Sequence, residues 1–584
     1  MMMETSGAMA MTSRSPCCRH ARAPRRCSRE RAVRLWALLV AVVALWSSCG
    51  VAATAPAPSA TKARRLDVVA PMDGAFATIF YDHGQDSDDM LLAIRVLMRS
   101  IRDSHTQYRK MVIVPSDGLR ASSRETFLRD DPQIEIIRAE IPNVFRHHTL
   151  TEPRAQLLHM RNKLVLWDDP LLSKMQRIVY LDPENVVLSN LDEIFACAQF
   201  CAVDNGQSIV YANSLLVVSP ASVAARNLYS DAIDAFMISG REYEYTGIAQ
   251  GFLPGLFEAL EESPLFNVDE PADSDDAFEI EASKSVVRRL PFYYSINHMV
   301  FYERLNWDLY KCNKKNASTN EIPGPLLSYK YSGATVKPWF WLPYTYFQVF
   351  WYWQDVRERL QEDHVGFFLS KLVSQTVLFG LAWVAYVALC LKLRNEPNGR
   401  TRRLSSWGLP APGNAESLTV DIFNSRVVRK ACQISCNVLY AVSSTPVVSS
   451  IVVMLAIMWV SIMCVPGTMH PRFACLLWAH LLDSLVMTVL VVYSIAYTMS
   501  TAQWKKDEVP STLALLGDAI VDAGRRLPLL VMFQGLFLWV ISRTDLFQNP
   551  VLRPTVLLSL LGLLCFVQSR IIAREMARVT RQKW

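Results

Sequence analysis

Apolar positions divide this chain into two unlike parts. Charged residues are spread through the stretch from Arg64 to Asp363, whereas the last third of the chain is dominated by long apolar runs. A water-soluble domain followed by a membrane domain is the simplest partition of such a pattern. We predict four segments: a basic N-terminus with a signal peptide or membrane anchor at 1–55, a linker at 56–69, a soluble domain at 70–353 and an all-α transmembrane domain at 354–584.

The soluble part alternates short β-rich runs with helical ones. The strand-like runs AFATIFY, MVIVPSDG, IEIIRAEI and QRIVYLDPEN are separated by an amphipathic helix from Ser87, a helix at Ser122–Arg129 and a helix at Met160–Asp168. Alternation of this kind is typical of an open, mostly parallel α/β sheet. Such sheets bind ligands at the carboxyl ends of their strands, so we expect the site near the end of QRIVYLDPEN.

The C-terminal part contains five apolar runs that approach the roughly 20 residues needed to cross a bilayer. The fourth of them is the shortest. The predicted spans are 367–391, 447–465, 473–499, 527–542 and 551–569.

Basic residues predict the orientation of these spans. Lysine and arginine cluster between the first and second spans, between the third and fourth, and after the fifth. Because basic loops stay on the cytoplasmic side, the soluble domain is expected in the lumen and the C-terminus in the cytosol. The apolar run LWALLVAVVALW after the Arg-rich N-terminus fits a secretory signal or an uncleaved anchor, and both deliver the chain to the lumen. We predict a multi-pass protein of the Golgi or ER membrane.

Charge and cysteine content exclude some classes of function. The net charge of +6 arises largely from the N-terminal tail and the loops between spans, which indicates membrane topology rather than nucleic-acid binding. Only Cys197, Cys201 and Cys312 of the 13 cysteines fall in the soluble part, without zinc-binding spacing. Cys197 and Cys201 are either a local disulfide or two small buried residues.

Two features near the membrane each allow two interpretations. His480 and Asp483 share one face of the third span, and we favour a polar contact inside the bundle over a transport path because ionisable residues are scarce in the spans. The aromatic segment WFWLPYTYFQVFWYW, residues 339–353, precedes the first span. It suits either the lumenal membrane interface or an aromatic core of the soluble domain.

Two carboxylates mark the expected site. Asp182 and Glu184 stand two residues apart directly after an apolar strand. Hard oxygen ligands at this spacing can share one divalent cation, which would neutralise a bound diphosphate. On spacing alone, a solvated turn is the commoner explanation of such a pair.

The surrounding motifs resemble glycosyltransferase family 8, the glycogenin-like group. The resemblance covers about residues 70–345 and is strongest to the multi-spanning plant members that transfer glucuronic acid to inositol phosphorylceramide. It implies a GT-A fold, a Rossmann-like nucleotide-diphospho-sugar transferase domain, and maps family motifs onto QRIVYLDPEN, NKLVLW, YANSLLVVSPAS, AQGFL and VKPWFW. The residues it implicates are Gln250 as catalytic; Thr78, Tyr81, Lys163, Asn213, Ser214 and Lys337 in donor binding; and Asp182, Glu184 and Tyr331 at the metal.

This chain departs from the family pattern at four positions. Glu184 replaces the second aspartate of the D-x-D motif, Ala249 replaces the acid before Gln250, Tyr331 stands where a histidine ligand is usual, and Leu215 replaces a glycine. The resemblance therefore implies a Mn²⁺ or Mg²⁺ site that binds its metal more weakly than the family's usual site.

The activity implied by the resemblance is transfer of a hexose or glucuronic acid from a UDP-sugar to an acceptor hydroxyl, with retention. A lipid acceptor such as inositol phosphorylceramide agrees with a membrane-tethered lumenal domain, although a glycan acceptor is also open. The main alternative is a catalytically impaired relative that acts as a binding or scaffold module. A transporter and a self-glucosylating glycogenin-like protein are the weaker alternatives.

Overall fold

A computed structural model describes the fold. It describes residues 73–80, 87–116, 119–139, 163, 165–203, 212–222, 263–268, 287–298, 322, 324–329, 337–360, 362–395, 446–501, 512–525, 527–542 and 552–581. The predictions for the N-terminal segment and the linker lie outside these ranges.

The first half of the chain forms an α/β domain, as the alternating pattern predicted. Its strands are β1 (Gly74–Ile79), β2 (Arg109–Pro115), β3 (Ile134–Ala139), β4 (Arg177–Leu181), β5 (Asn185–Val187), β6 (Phe200–Val203), β7 (Ala212–Val218), β8 (Val287–Leu290), β9 (Ile296–Asn297) and β10 (Leu326–Ser328). Its helices are α1 (Ser87–Asp103), α2 (Ala121–Asp130), α3 (Val165–Asp168), α4 (Trp341–Tyr346) and α5 (Val349–Glu358).

Within the described residues, the main sheet has seven strands in the order β3-β2-β1-β4-β7-β6-β8. Strands β1 to β4 pair in parallel, whereas β7 runs antiparallel to both β4 and β6. The sheet is therefore mixed, with a parallel half that was predicted and an antiparallel insertion that was not. A second sheet of order β5-β10-β9 lies beyond the end of β4, because β5 follows that strand after a short turn.

Alternation along β1 explains how this sheet is covered on both faces. Ala75, Ala77 and Ile79 belong to one buried cluster, together with Trp167 of α3. Phe76 points to the other face and packs in a cluster that includes residues of α1. Because both faces are covered, all six residues of the strand are buried, and its side chains do not alternate between apolar and exposed polar types.

The aromatic segment before the first span packs inside the protein. Trp339, Tyr344 and Trp353 are buried in a cluster with residues of α1 and β10. Trp341 instead belongs to the core of the helical bundle, where its ring lies 6.5 Å from that of Trp478. The segment therefore joins the two cores, and the core interpretation describes it better than the interfacial one.

All the regular elements that the structure describes after residue 363 are helices. They are α6 (His364–Asn395), α7 (Pro446–Met463), α8 (Pro471–Thr501), α9 (Thr512–Gly524), α10 (Leu527–Ser542) and α11 (Leu552–Arg581). By length and composition, four helical stretches among the described residues can cross a membrane: His364–Tyr386, Pro446–Met463, Pro471–Ile495 and Leu552–Arg578. The predicted fourth span coincides with α10, which has only 16 residues. The α/β domain followed by an α-helical apolar domain confirms the predicted fold class.

His480 makes a polar contact inside the helical bundle. Its Nε2 atom lies 3.1 Å from the Thr376 hydroxyl, which links α8 to α6. A second such link joins the same helices, because the Trp383 indole donates to Thr488 at 2.8 Å. The predicted role of His480 as a bundle contact agrees with this geometry.

Cys197 and Cys201 form a disulfide, one of the two alternatives left open by the sequence. Cys197 follows the short 3-10 helix Asp192–Ala196, and Cys201 lies in β6. Both residues are buried. The bridge thus ties the start of an inner strand to the turn that leads into it.

Candidate glycosyl-donor site

The candidate site lies at the carboxyl end of β4, where the topology of the sheet predicts a ligand. Asp182 directly follows this strand and is largely buried. Its carboxylate accepts a hydrogen bond from the Tyr180 hydroxyl at 2.8 Å, and its backbone N–H donates to the Ser214 carbonyl at 3.0 Å. The carboxylate is therefore held by Tyr180 of β4, and the backbone of Asp182 is held by β7.

Lys163 provides the first cation of the site. Its Nζ lies 2.9 Å from Oδ1 of Asp182, and the side chains are 4% and 11% exposed. The same ammonium stands 4.7 Å from the centre of the Tyr180 ring, a favourable position over an aromatic face. Removing either partner would take this contact from a nearly buried charge, which is destabilising.

Lys337 provides the second cation. Its Nζ donates to Oε1 of Glu184, and it stands 5.9 Å from the centre of the Trp339 ring. The lysine remains 21% exposed, so it is more accessible than Lys163. The two predicted acids and the two predicted lysines thus form two ion pairs around one turn.

Three hydrogen bonds stabilise the turn that carries Asp182 and Glu184. The Asn185 amide donates to the Ser214 carbonyl at 2.8 Å, and the Asn185 backbone N–H donates to the Asp182 carbonyl at 3.1 Å. The backbone N–H of Tyr329, after β10, donates to the Glu184 carbonyl at 3.2 Å. Asn185 is fully buried, and the sequence analysis did not single it out.

These residues do not fit a divalent cation in this arrangement. The two carboxylates are suitable oxygen ligands, but each one is already paired with an ammonium group, which would repel a nearby metal ion. Among the described residues, no three His, Cys, Asp or Glu side chains converge on a common point. The Mn²⁺ or Mg²⁺ site stays a prediction.

The other predicted site residues are only partly placed. Thr78 is buried in β1, and the Ser214 hydroxyl lies 3.0 Å from that of Ser295, inside the domain. Asn213 lies in β7 beside Ser214. Tyr81, Gln250 and Tyr331 lie outside the described residues. Their assigned roles stay predictions.

His298 is a buried titratable group near this site that the sequence analysis missed. It follows β9 and is 2% exposed, with its ring 5.6 Å from that of Tyr329. Burial lowers the pKa of His298 to about 4; a hydrogen bond to the Ser328 backbone raises the pKa, and the charge of Lys337 lowers it further. The imidazole is therefore neutral near neutral pH. Nothing in the local sequence distinguishes this histidine, because β9 and β10 meet only in the fold.

Comparison with known proteins supports the resemblance stated from the sequence. No family model matches the chain. The chain is 27% identical over 284 residues to the Arabidopsis thaliana protein named Putative glucuronosyltransferase PGSIP8, covering 48% of this chain and 50% of the relative. It is 29% identical over 272 residues to Putative glucuronosyltransferase PGSIP7 of the same plant, covering 46% and 48%.

A third relative carries a more specific name. The chain is 27% identical over 194 residues to Inositol phosphorylceramide glucuronosyltransferase 1 of Arabidopsis thaliana, covering 33% of this chain and 32% of the relative. This chain is similar to plant glucuronosyltransferases. It spans about half the length of the first two relatives.

Among solved structures, the chain is similar to the galactosyltransferase LgtC in complex with donor and acceptor sugar analogs. The identity is 15% and the TM-score 0.30, over 45% of this chain and 89% of that one. A similarity of this size carries no argument about chemistry.

Proposed function

We propose that this protein is a membrane-bound glycosyltransferase that moves a hexose or glucuronic acid from a UDP-sugar to an acceptor hydroxyl, with retention. The observation that carries the proposal is the pair of lysine–carboxylate contacts at the carboxyl end of β4. The similarity to plant glucuronosyltransferases supports it. The name of the third relative and the apolar helices of the chain support a lipid acceptor such as inositol phosphorylceramide as part of the proposal.

The chemistry required of the site is stabilisation of a leaving diphosphate. As the bond between the anomeric carbon and the donor oxygen breaks, negative charge grows on the departing UDP. Lys337 is the accessible cation of the site, and exchanging its Glu184 contact for a phosphate oxygen would place its charge beside the leaving group. Lys163, which is more deeply buried, stays paired with Asp182. Gln250 is assigned to the reacting face of the sugar by the resemblance alone.

A lumenal position in the Golgi or ER is part of the proposal. The disulfide between Cys197 and Cys201 supports it, because such bonds persist in oxidising compartments and are rare in the cytosol. The basic segments between spans support the same orientation through the positive-inside rule. The C-terminus would then be cytosolic.

Measurement of UDP release tests the activity. The full chain in detergent micelles is incubated with UDP-glucuronic acid or UDP-hexoses and inositol phosphorylceramide, with Mn²⁺ and separately with EDTA. We expect turnover that falls at least tenfold in Lys337→Gln and in Asp182→Asn. Lys174→Gln is the matched control, because Lys174 is exposed and lies outside the site. Absence of turnover with every donor, or turnover unchanged in both site variants, would refute the proposal.

The alternative is a catalytically impaired relative that binds the donor or a partner without turning it over. The observation that favours it is the replacement of the usual acid by Ala249 and of the usual histidine by Tyr331. Binding of UDP without release from any UDP-sugar would select this alternative.

A further inference from the structure

A short turn carries Lys337, the accessible cation of the donor site. Lys337 belongs to no helix or strand, and its carbonyl accepts a hydrogen bond from the backbone N–H of Phe340 at 3.1 Å. The next carbonyl, that of Pro338, accepts from the amide of Gln354 at 2.8 Å, and this glutamine of α5 is buried. The backbone on the C-terminal side of Lys337 is therefore held by helical segments rather than by the sheet.

The helical bundle contacts this same turn. The span-linking turn, residues 464–470, joins α7 to α8. Within it, the Gly467 carbonyl accepts from the backbone N–H of Trp341, the first residue of α4, at 3.2 Å. Gly467 also lies against the Phe340 ring, because an added Cβ would stand 3.3 Å from the Cδ1 atom of that ring. The residues that follow Lys337 thus rest directly on the span-linking turn.

Two further contacts connect this region to the bundle. The guanidinium of Arg357, one turn after Gln354 in α5, donates to the Thr468 carbonyl of the span-linking turn at 2.7 Å. The Trp341 ring is buried and lies 6.5 Å from that of Trp478 in α8. Because buried groups are closely packed, a displacement of the span-linking turn is passed on to its neighbours instead of being absorbed by empty space.

The ammonium group of Lys337 has a defined position in the donor site. It pairs with Glu184 and stands 5.9 Å from the centre of the Trp339 ring, which is itself buried. A hydrogen bond between an ammonium and a phosphate oxygen is strong only at about 2.7–2.9 Å, so its strength depends on where the lysine is held.

We propose that the span-linking turn positions Lys337 for the diphosphate of the donor, so that the helical bundle contributes to donor binding as well as to membrane attachment. Gly467 is then a positioning residue, which acts through Phe340 and Trp341 and touches no substrate. This inference rests on the proposed function, because it concerns the same donor site.

Calorimetric titration with UDP tests the inference. The full chain in detergent micelles is titrated with UDP, with Mn²⁺ and separately with EDTA, and the dissociation constant and the number of binding sites are both measured. Loss of folded protein lowers the number of sites, whereas displacement of Lys337 raises the dissociation constant of the sites that remain. A merely structural role of Gly467 would therefore change only the number of sites.

A glycine substitution in the span-linking turn is the perturbation. Gly467→Val places a branched side chain against Phe340, and we expect it to raise the dissociation constant of UDP roughly threefold or more. Gly517→Val is the matched control, because Gly517 is exposed on α9 and an added Cβ there would meet no atom within 4 Å. If Gly467→Val fails to fold, Gly467→Ala decides, since the Phe340 ring then has to yield by only a few tenths of an ångström.

A double-mutant cycle shows whether the effect passes through the lysine. Lys337→Gln alone should weaken UDP binding roughly tenfold, because it removes a charged hydrogen-bond donor. In the Lys337→Gln background, Gly467→Val should weaken binding no further, because the group that it displaces is absent.

Specific results overturn the inference. An unchanged dissociation constant in Gly467→Val, the same weakening by Gly517→Val, or equal weakening by Gly467→Val with and without Lys337 would each do so while leaving the donor site in place. No UDP binding by the unaltered chain would refute the donor site of the proposed function and this inference with it. UDP binding without turnover would refute only the catalytic part of the proposed function, because the titration contains no sugar to transfer.

Discussion

Acidification should destabilise the α/β domain through one buried histidine. His298 is neutral in the folded protein because burial holds its pKa at about 4, whereas an exposed histidine titrates near 6.5. Between these values the unfolded chain binds a proton that the folded chain does not. The stabilising contribution is therefore complete above pH 6.5 and is lost as the pH falls toward 4.

The expected loss follows from the size of the pKa shift. A difference of 2.5 between 6.5 and 4 corresponds to about 3 kcal/mol once the pH is below both values. At pH 5 the unfolded chain is already mostly protonated at this residue, so about 2 kcal/mol is lost relative to pH 7.5. His298→Gln removes this titrating group. Between pH 7.5 and 5, the loss in free energy of unfolding should therefore be about 2 kcal/mol smaller for the variant than for the unaltered chain.

Pulse proteolysis over a urea gradient, at pH 7.5 and 5 in detergent micelles, measures this difference. His105→Asn is the matched control, because His105 is exposed and its backbone has a positive φ of 57°, a conformation that asparagine tolerates. Its pH dependence should equal that of the unaltered chain. If His298→Gln loses as much stability between the two pH values as the unaltered chain, the imidazole is not held neutral and the reasoning fails.

Three further predictions concern single contacts. Lys337→Met should raise the KM for the UDP-sugar and lower kcat at least tenfold, measured by UDP release, and an unchanged rate would contradict its role. Cys201→Ser should lower the free energy of unfolding by roughly 1–3 kcal/mol, since a disulfide that closes a short loop removes little chain entropy; equal sensitivity of the variant and the unaltered chain to protease would contradict this. Gly324→Ala should reduce the folded yield, because an added Cβ would lie 1.9 Å from the Tyr293 carbonyl oxygen, and a normal thermal midpoint would contradict the clash.

The sequence predicted the strands of the parallel half because their apolar runs are short and bounded by turns. β3 and β4 lie within the predicted runs, whereas β1 begins one residue and β2 two residues before theirs. Helix α2 extends the predicted helix by one residue at each end. The antiparallel insertion of β7 between β4 and β6 was not predicted. Its pairing with β4 joins residues more than thirty positions apart, such as Ile178 and Val218, and no local period in the sequence records that contact.

In the candidate site, too, contacts between residues far apart in the sequence could not be predicted. A motif placed Asp182 and Glu184 after a strand, but it could not say that Lys163 and Lys337 would each pair with one of them. Those pairs depend on how two segments more than 150 residues apart along the chain converge on one turn. The same convergence buries His298 near Lys337. Residue types can therefore be predicted from a motif, whereas the charge balance that decides between metal binding and lysine pairing arises only from the tertiary fold.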